Sequence, residues 1–248
     1  MLLLLEGRAV LELGAFFAAA PWLRMTARGD GHPVLVLPGL GASDVSTRPL
    51  RSFLAGRGYA VHGWGRGRNL GRRNMVDLYL VPRLKDLRQR YDRRVSVIGW
   101  SLGGIYAREL AKRAPDDVRL VITLGSPFAG NPKASNVWRL FEASSGRKVD
   151  DDPEARRRRR EPPPVPTTAI FSRTDGIVAW QRCTEQEGAR IENIEVQSSH
   201  CGLGHHPAVL YAIADRLAQP EGEWRPFERS GLKRLLYPDP RRGESPGA

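Results

Sequence analysis

Lysine and cysteine are both scarce in this sequence of 248 residues, and each scarcity disfavours a class of protein. Five lysines stand among 39 basic residues, so arginine carries almost all of the formal net charge of +12. There is no zinc-ligand spacing and no basic stripe interleaved with aromatic residues, so we do not expect nucleic-acid binding or a metal site. Two cysteines are too few for a disulfide scaffold. A single Cys183–Cys201 disulfide and two free thiols are both compatible with the sequence.

Long hydrophobic runs are also missing. The most apolar stretch lies at the N-terminus, where the longest uncharged run, Leu13 to Leu23, has 11 residues. A membrane span needs about 20 residues. Glu6 and Glu12 make this stretch acidic, whereas a secretory signal begins with positive charge. We therefore expect an apolar helical segment at 1–31 that packs on the core of a cytoplasmic protein, with membrane contact at most peripheral. The A-x-A-like Ala18 to Ala20 leaves export by an atypical signal open.

The sequence that remains alternates between strand-like and helix-like segments. Six apolar runs have the character of strands: His32–Gly39, Gly58–Trp64, Arg93–Trp100, Val118–Ser126, Thr167–Ser172 and Glu192–Ser199. Apolar residues recur every three or four positions in the helical segments, which fall at 80–91, 107–114 and 209–217. Continuous apolar runs suit strands buried on both faces. The alternation predicts an α/β fold with a mostly parallel sheet of about six strands and helices on both faces.

Two stretches depart from this alternation. Residues 128–166 contain the run Arg156–Arg160 and a group of prolines, and a long irregular insertion in a compact domain is typical of a lid. We interpret the arginine run as solvated surface. From position 220 onward the chain is rich in proline and arginine, so residues 220–248 are expected to form a basic tail. The central domain is then 32–219, with the lid insertion at 128–166.

The motif with the clearest chemistry is G-x-S-x-G at Gly99–Gly103, which places Ser101 between a predicted strand and a predicted helix. This context fits a strained turn that displays the serine hydroxyl. The start of the helix directs free N–H groups toward the place where an oxyanion would form, and the N–H of Leu102 is one such donor. The second donor is expected from Leu40, in the glycine-rich turn after the first predicted strand.

A serine nucleophile needs a histidine base, and the base needs an acid that orients it. Asp175 lies just past the fifth predicted strand, and His200 lies just past the sixth, 25 residues later. The carboxyl ends of parallel strands meet at one edge of a sheet, so both residues should lie at the edge that carries Ser101. His205 is the next candidate for the base, because the histidines in or beside strands are expected to be structural.

Several aromatic residues surround the motifs and are candidates for a substrate pocket. Trp100, Phe128, Trp138 and Phe141 suggest an acyl-accepting or lipid-facing pocket, with ordinary core packing as the alternative. The glycine-rich stretch Gly63–Gly71 lacks the G-K-[ST] ending of a phosphate loop, so we do not expect nucleotide binding. Its arginines are expected to brace the rim of the pocket.

Taken in order, these segments resemble the α/β-hydrolase superfamily in its lipase/esterase branch. The matching stretches are LPGLGASD at 37–44, GWSLGG at 99–104, TLGSPFAG at 123–130, SRTDGIV at 172–178 and SHCGLGHHP at 199–207. The resemblance implies that Ser101 is the nucleophile, Asp175 the acid and His200 the base. It also implies that Leu40 and Leu102 provide the oxyanion hole and that no cofactor is used. The family's cap usually lies between the fourth strand and the acid strand, which fits the insertion at 128–166.

The function expected from these residues is hydrolysis of a small-molecule or lipid carboxylic ester through an acyl-enzyme. Thioester hydrolysis and acyl transfer use the same three side chains, so both remain open. An inactive hydrolase-fold protein that only binds a partner is the alternative of a different class. The presence of all three predicted catalytic residues argues against it.

Overall fold

The computed structural model describes residues 2–72, 74–130, 142, 152–186 and 188–242. Six strands are defined: β1 Pro33–Leu37, β2 Ala60–Gly63, β3 Val95–Trp100, β4 Val118–Leu124, β5 Thr167–Phe171 and β6 Ile191–Glu195. They form one sheet in the order β2–β1–β3–β4–β5–β6, and every pairing is parallel. Each strand overlaps one of the predicted segments, so the predicted parallel sheet is confirmed. All strands end at the same edge of the sheet.

Helices follow most strands. They are α1 Ala9–Ala18, α2 Ala20–Leu23, α3 Arg48–Gly56, α4 Val81–Tyr91, α5 Leu102–Arg113, α6 Pro153–Arg160, α7 Pro207–Leu217 and α8 Lys233–Leu236. Short 3-10 helices occupy Leu2–Arg8, Pro115–Asp117, Trp180–Arg182 and Cys201–Gly204, and a π-helical turn at Val76–Leu80 leads into α4. Proline sets two of these boundaries as predicted: α7 begins at Pro207, and α5 ends before Pro115. Proline lacks the N–H that a helix interior requires, so it fits only the first turn.

The sheet separates two layers of apolar packing. In β1, Val34 and Val36 face a cluster that includes α3 and α7, whereas Leu35 and Leu37 face a cluster that includes α4 and α5. Every residue of β1 is buried, as is every residue of β5. A strand covered on both faces needs apolar side chains at consecutive positions, which explains the unbroken runs in the sequence.

Both ends of the described chain pack against the α7 side of the sheet. Leu23 is buried in this layer, and Trp22 stacks on Tyr211 of α7 with ring centroids 5.1 Å apart. Near the other end, Phe227 and Tyr237 are buried, and the Tyr237 hydroxyl donates to the carbonyl oxygen of Ala208 at 2.8 Å. The division of the chain at residues 31 and 219 stays a prediction, although both flanking stretches contribute to the core.

Much of the predicted lid insertion at 128–166 lies outside the described residues, including Trp138 and Phe141. Its described part corrects the expectation of an irregular loop, because the arginine run belongs to helix α6. Arginine has a high helix propensity. An ion pair one turn apart, between Arg158 and Glu154 at 2.8 Å, adds to the stability of the helix.

Helix α6 is attached to α5 through its last carbonyl groups. The Arg108 guanidinium donates to the carbonyl oxygen of Glu161 at 2.9 Å, and the Lys112 ammonium donates to that of Arg158 at 2.6 Å. Cations placed there satisfy carbonyls that have no partner within the helix and oppose its dipole. Arg108 is buried and also pairs with buried Glu185. The side chains of α5 therefore hold the backbone of the arginine run in place, while Arg157 and Arg158 stay exposed.

Candidate active site

Ser101 lies at the sharp turn between β3 and α5. Its backbone has φ 53° and ψ −120°, a conformation that residues with a side chain rarely adopt. The Ser101 N–H donates to the carbonyl oxygen of Leu124 in the neighbouring strand at 2.8 Å. Strain of this kind persists only where the surroundings enforce it, and it concentrates at functional sites. The turn thus has the geometry that the sequence motif predicts.

Two glycines of the motif allow the helix to start this close to the sheet. A Cβ atom on Gly99 would overlap the backbone of Gly103, and a Cβ atom on Gly103 would overlap the carbonyl group of Leu37. Neither obstacle is the end of a flexible side chain, so neither can move aside cheaply. The absence of a side chain at both positions is therefore a packing requirement of the turn.

Replacement of Gly103 by alanine is expected to destabilise the fold by about 3 kcal/mol, because overpacking against fixed backbone displaces β1 or α5. Urea unfolding of the variant measures this loss. Gly56→Ala is the matched control, because a Cβ atom at the end of α3 would meet no atom within 4 Å. Equal stability of the two variants would show that α5 does not approach β1 as closely as described.

Asp175 and His200 follow β5 and β6, and their side chains meet. The His200 Nδ1 atom lies 2.6 Å from Asp175 Oδ2, and both residues are buried. The other carboxylate oxygen, Oδ1, accepts the N–H groups of Ile177 at 2.8 Å and Val178 at 2.7 Å. A carboxylate only accepts, so Nδ1 carries the proton and Nε2 of a neutral His200 is left as an acceptor.

The end of β4 brings the three predicted residues to one place. Gly125, with φ 53°, comes directly after the carbonyl group that accepts from Ser101. A Cβ atom on Gly125 would lie 3.1 Å from His200 Nδ1 and 3.2 Å from Asp175 Oδ2. Ser101, Asp175 and His200 therefore gather at the carboxyl edge of the sheet, around the end of one strand.

Trp100 and Phe128, the two aromatic residues predicted to bind substrate, make contacts with other side chains and backbone groups of the chain. The Trp100 indole N–H donates to the His200 carbonyl oxygen at 3.1 Å, which joins the serine turn to the histidine loop. Phe128 is only 3% exposed, and the Arg108 guanidinium carbon lies 3.7 Å from the centroid of the Phe128 ring. Phe128 is thus part of a small buried cluster with Ala129 and Ala169. A role of either residue in substrate binding stays a prediction.

His205, the alternative base, has its Nε2 atom 3.0 Å from the carbonyl oxygen of Ala9.

The loop that carries Leu40 passes close to the serine. A Cβ atom on Gly39 would lie 3.2 Å from Ser101 Cβ, so the backbone of this loop lies beside the Ser101 side chain. Leu102 is the first residue of α5, and the first N–H groups of a helix have no partner within it. Both positions are compatible with the predicted oxyanion hole, and their roles remain predictions.

Asn69 braces this loop, although the sequence did not single it out as a functional residue. It is fully buried, and its side-chain amide donates to the Pro38 carbonyl oxygen at 2.9 Å. Its backbone accepts from Gly41 at 2.7 Å and donates to Ala42 at 2.8 Å. The glycine-rich stretch 63–71 was expected to brace the rim through its arginines. Instead one residue, Asn69, makes these contacts to the Leu40 loop through its side chain and its backbone, and no periodic pattern marks a single asparagine.

The sequence is compatible with a Cys183–Cys201 disulfide and with two free thiols. In the structure both cysteines are free thiols. Cys183 is buried beside Phe171, and its Sγ atom faces the Ala179 carbonyl oxygen at 3.8 Å. Burial raises the pKa of the Cys183 thiol well above its usual value. Burial and the Glu6 carboxylate raise the pKa of Cys201 to about 11. Both groups are therefore protonated near neutral pH and are poor nucleophiles.

Other kinds of site are not evident within the part of the chain that the structure describes. No group of three histidine, cysteine, aspartate or glutamate side chains there could hold a metal ion. No helix among the same residues is long and apolar enough to cross a membrane. An open cleft does exist at the opposite edge of the sheet, but two of its arginines are occupied by carboxylates of the chain: Arg94 pairs with Glu221, and Arg216 with Glu192.

The six-stranded parallel sheet with helices on both faces is the fold of the α/β hydrolases. The chain belongs to the alpha/beta hydrolase family, whose model matches residues 14–237. Solved structures with the same fold include the monoacylglycerol lipase of Paleococcus ferrophilus, with a TM-score of 0.55 and 15% identity over 77% of this chain and 96% of that one. Lipase B of Aspergillus fumigatus gives a TM-score of 0.60 and 18% identity over 79% of this chain and 54% of that one. The thioesterase domain from the curacin biosynthetic pathway gives a TM-score of 0.52 and 13% identity over 78% of this chain and 93% of that one. At these identities, the likeness concerns the fold.

Proposed function

We propose that the protein hydrolyses carboxylic esters through an acyl-enzyme, with Ser101, His200 and Asp175 as its catalytic residues. The observation that carries the proposal is the 2.6 Å contact between His200 Nδ1 and Asp175 Oδ2. It occurs at the sheet edge where Ser101 stands in a strained turn. A buried carboxylate that orients a histidine beside a displayed serine is the arrangement that makes a hydroxyl nucleophilic.

In the acylation step, the Ser101 Oγ atom attacks the acyl carbon while His200 Nε2 takes the hydroxyl proton. Asp175 holds the imidazole through Nδ1 and stabilises its positive charge. The tetrahedral oxyanion receives N–H groups from Leu40 and Leu102, each worth roughly 3 kcal/mol of transition-state stabilisation. His200 then gives its proton to the leaving alcohol as the ester bond breaks.

Deacylation reverses these roles. A water molecule attacks the acyl-serine carbon while His200 Nε2 takes one of its protons, and a second tetrahedral intermediate forms in the same oxyanion hole. Its collapse releases the carboxylic acid and returns the proton to Ser101 Oγ. Every step uses groups of this chain and water, so the proposed reaction involves no cofactor.

The proposal predicts turnover of p-nitrophenyl esters and covalent labelling by a fluorophosphonate. The assay uses a series from acetate to palmitate, and the chain length with the highest kcat/KM separates a short-chain esterase from a lipase. Labelling should stop when the protein is acylated or when Ser101 is replaced. A folded protein that neither turns over any ester nor reacts with the probe would contradict catalysis and favour a binding role.

Thioester hydrolysis and acyl transfer are the other outcomes that this experiment distinguishes. A protein labelled by the probe but inactive on oxygen esters would be assayed on acyl thioesters, where the leaving group is a thiol. An acyltransferase would give an ester product when an alcohol is added, whereas a hydrolase gives the free acid. Because the same three side chains serve all these reactions, the acceptor has to be measured directly.

A further inference from the structure

The N-terminal segment, defined here as residues 2–18, contacts both loops that carry Asp175 and His200. One side chain, that of Glu6, makes three of these contacts. The Glu6 Oε1 atom accepts the N–H of Gly176 at 2.8 Å and the N–H of His200 at 2.9 Å, and Oε2 accepts the N–H of Cys201 at 2.9 Å. A single carboxylate thus joins the residue after the acid to the base itself.

Such a junction is strong because hydrogen bonds to an ionised acceptor are roughly twice as strong as neutral ones. Burial raises the pKa of Glu6, but the three backbone N–H groups outweigh that effect and hold the pKa below its usual value. Glu6 is therefore charged at neutral pH. Removing it would leave N–H groups of two loops without their acceptor.

Glu12 and Arg8 make a second junction from the same segment. Glu12 Oε1 accepts the Ser199 N–H at 2.8 Å, and its Oε2 accepts the Ser199 hydroxyl. Arg8 pairs with Glu12 at 3.4 Å and donates to the Thr174 hydroxyl at 2.6 Å. Arg8 and Glu12 thus contact Thr174 and Ser199, the residues directly before Asp175 and His200. Glu6 contacts His200 itself and the residues directly after Asp175 and His200, which are Gly176 and Cys201. Each catalytic loop is held on both sides of its catalytic residue.

The outer side of the segment is apolar and open to solvent. Leu4 is 85% exposed and Leu11 is 76% exposed, whereas Glu12 is 8% exposed and is the buried residue of α1. An amphipathic helix usually buries its apolar side chains. Here charged side chains make the contacts with the catalytic loops, so the attachment lies at the proposed active site.

From these contacts we infer that Glu6 and Glu12 are positioning residues for the reaction proposed above, on which the inference rests. Their carboxylates fix the backbone of the acid and base loops relative to each other, which keeps the His200 imidazole on the Asp175 carboxylate. Neither residue is placed at the reacting atoms, since both act through backbone groups and Ser199. Catalytic geometry tolerates deviations of about 0.5 Å, and a 1 Å misplacement can lower the rate about 100-fold.

The test compares Glu6→Ala, Glu6→Gln and Glu12→Gln with Leu11→Ala, a matched control on the exposed side of the same segment. For Glu6→Ala we expect kcat to fall about 10- to 100-fold with KM changed less than about twofold. Glu6→Gln should keep part of the activity, because an amide oxygen still accepts two N–H groups but not the third. Glu12→Gln should lower kcat in the same direction, and Leu11→Ala should match the wild type.

Hydrogen exchange supplies a readout that does not depend on turnover. In Glu6→Ala, amides in 172–178 and 196–204 should exchange faster, while those of β1 and β3 keep wild-type protection. Unchanged kcat, or equal loss of protection throughout the sheet with no recovery in Glu6→Gln, would overturn the inference. If wild type turned over no ester, the proposed function would fail. The exchange data alone would then decide whether Glu6 fixes both loops: local loss of protection supports the inference, and no change overturns it.

Discussion

Ser101→Ala is expected to lower ester turnover by a factor on the order of 10⁵ while the protein stays folded. Without the hydroxyl no acyl-enzyme forms, so His200 and the oxyanion hole have no nucleophile to assist. The fold should persist because both residues have a Cβ atom in the same strained conformation, and the backbone bond to Leu124 is kept. The measurement is kcat/KM on the best p-nitrophenyl ester, with the thermal midpoint recorded for both proteins.

The matched control for this prediction is Ser52→Ala, on the exposed side of α3. It should have wild-type activity and react with a fluorophosphonate at the wild-type rate, whereas Ser101→Ala should not react at all. Ester cleavage by Ser101→Ala at the wild-type rate would show that the proposed mechanism is wrong. Labelling retained in that variant would point to another nucleophile.

Asp175→Asn is expected to lower kcat about 10⁴-fold, a loss caused by the wrong histidine tautomer. The carboxylate oxygen Oδ1 accepts two backbone N–H groups, so the carbonyl oxygen of an asparagine will take that position. Its NH₂ group then faces His200 Nδ1, which must become the acceptor. The proton moves to Nε2, and Nε2 can no longer take the proton of Ser101.

Asp116→Asn is the control, because this exposed aspartate lies just before β4 at the opposite edge of the sheet. It removes the same charge from the protein and should leave kcat unchanged. The two variants should bind substrate with similar KM, since Asp175 contributes to the transition state and not to substrate binding. A loss smaller than about tenfold in Asp175→Asn would mean that another group orients the histidine.

The sheet could be predicted closely because its strands are covered on both faces. In β1 every residue is buried and apolar, so its burial on both faces produces a run of apolar residues that is visible in the sequence. The observed strands overlap all six predicted runs, with ends that differ by a few residues. The positions of Ser101, Asp175 and His200 follow from the same logic, since each stands at or just past the end of a predicted strand.

The contacts that brace the candidate site could not be predicted in this way. Glu6 meets His200 across 194 positions of sequence, and neither residue belongs to a repeating pattern. The composition of the N-terminal stretch indicates an apolar element, yet its contacts with the catalytic loops are made by charged side chains. The role of Asn69 could not be predicted either, because only the carbonyl and N–H groups that it contacts in the folded structure distinguish it from other asparagines. Helix α6 escapes prediction because its arginine run, followed by prolines at 162–164, is also typical of a loop.

The separation between Glu6 and His200 also affects the order in which the protein acquires its structure during synthesis. The N-terminal segment is synthesised long before its backbone partners Gly176, His200 and Cys201, which lie after strands β5 and β6. Closing so long a loop costs conformational entropy that only the folded sheet can offset. The contacts of Glu6 with these two loops can therefore form only after β5 and β6 have been synthesised.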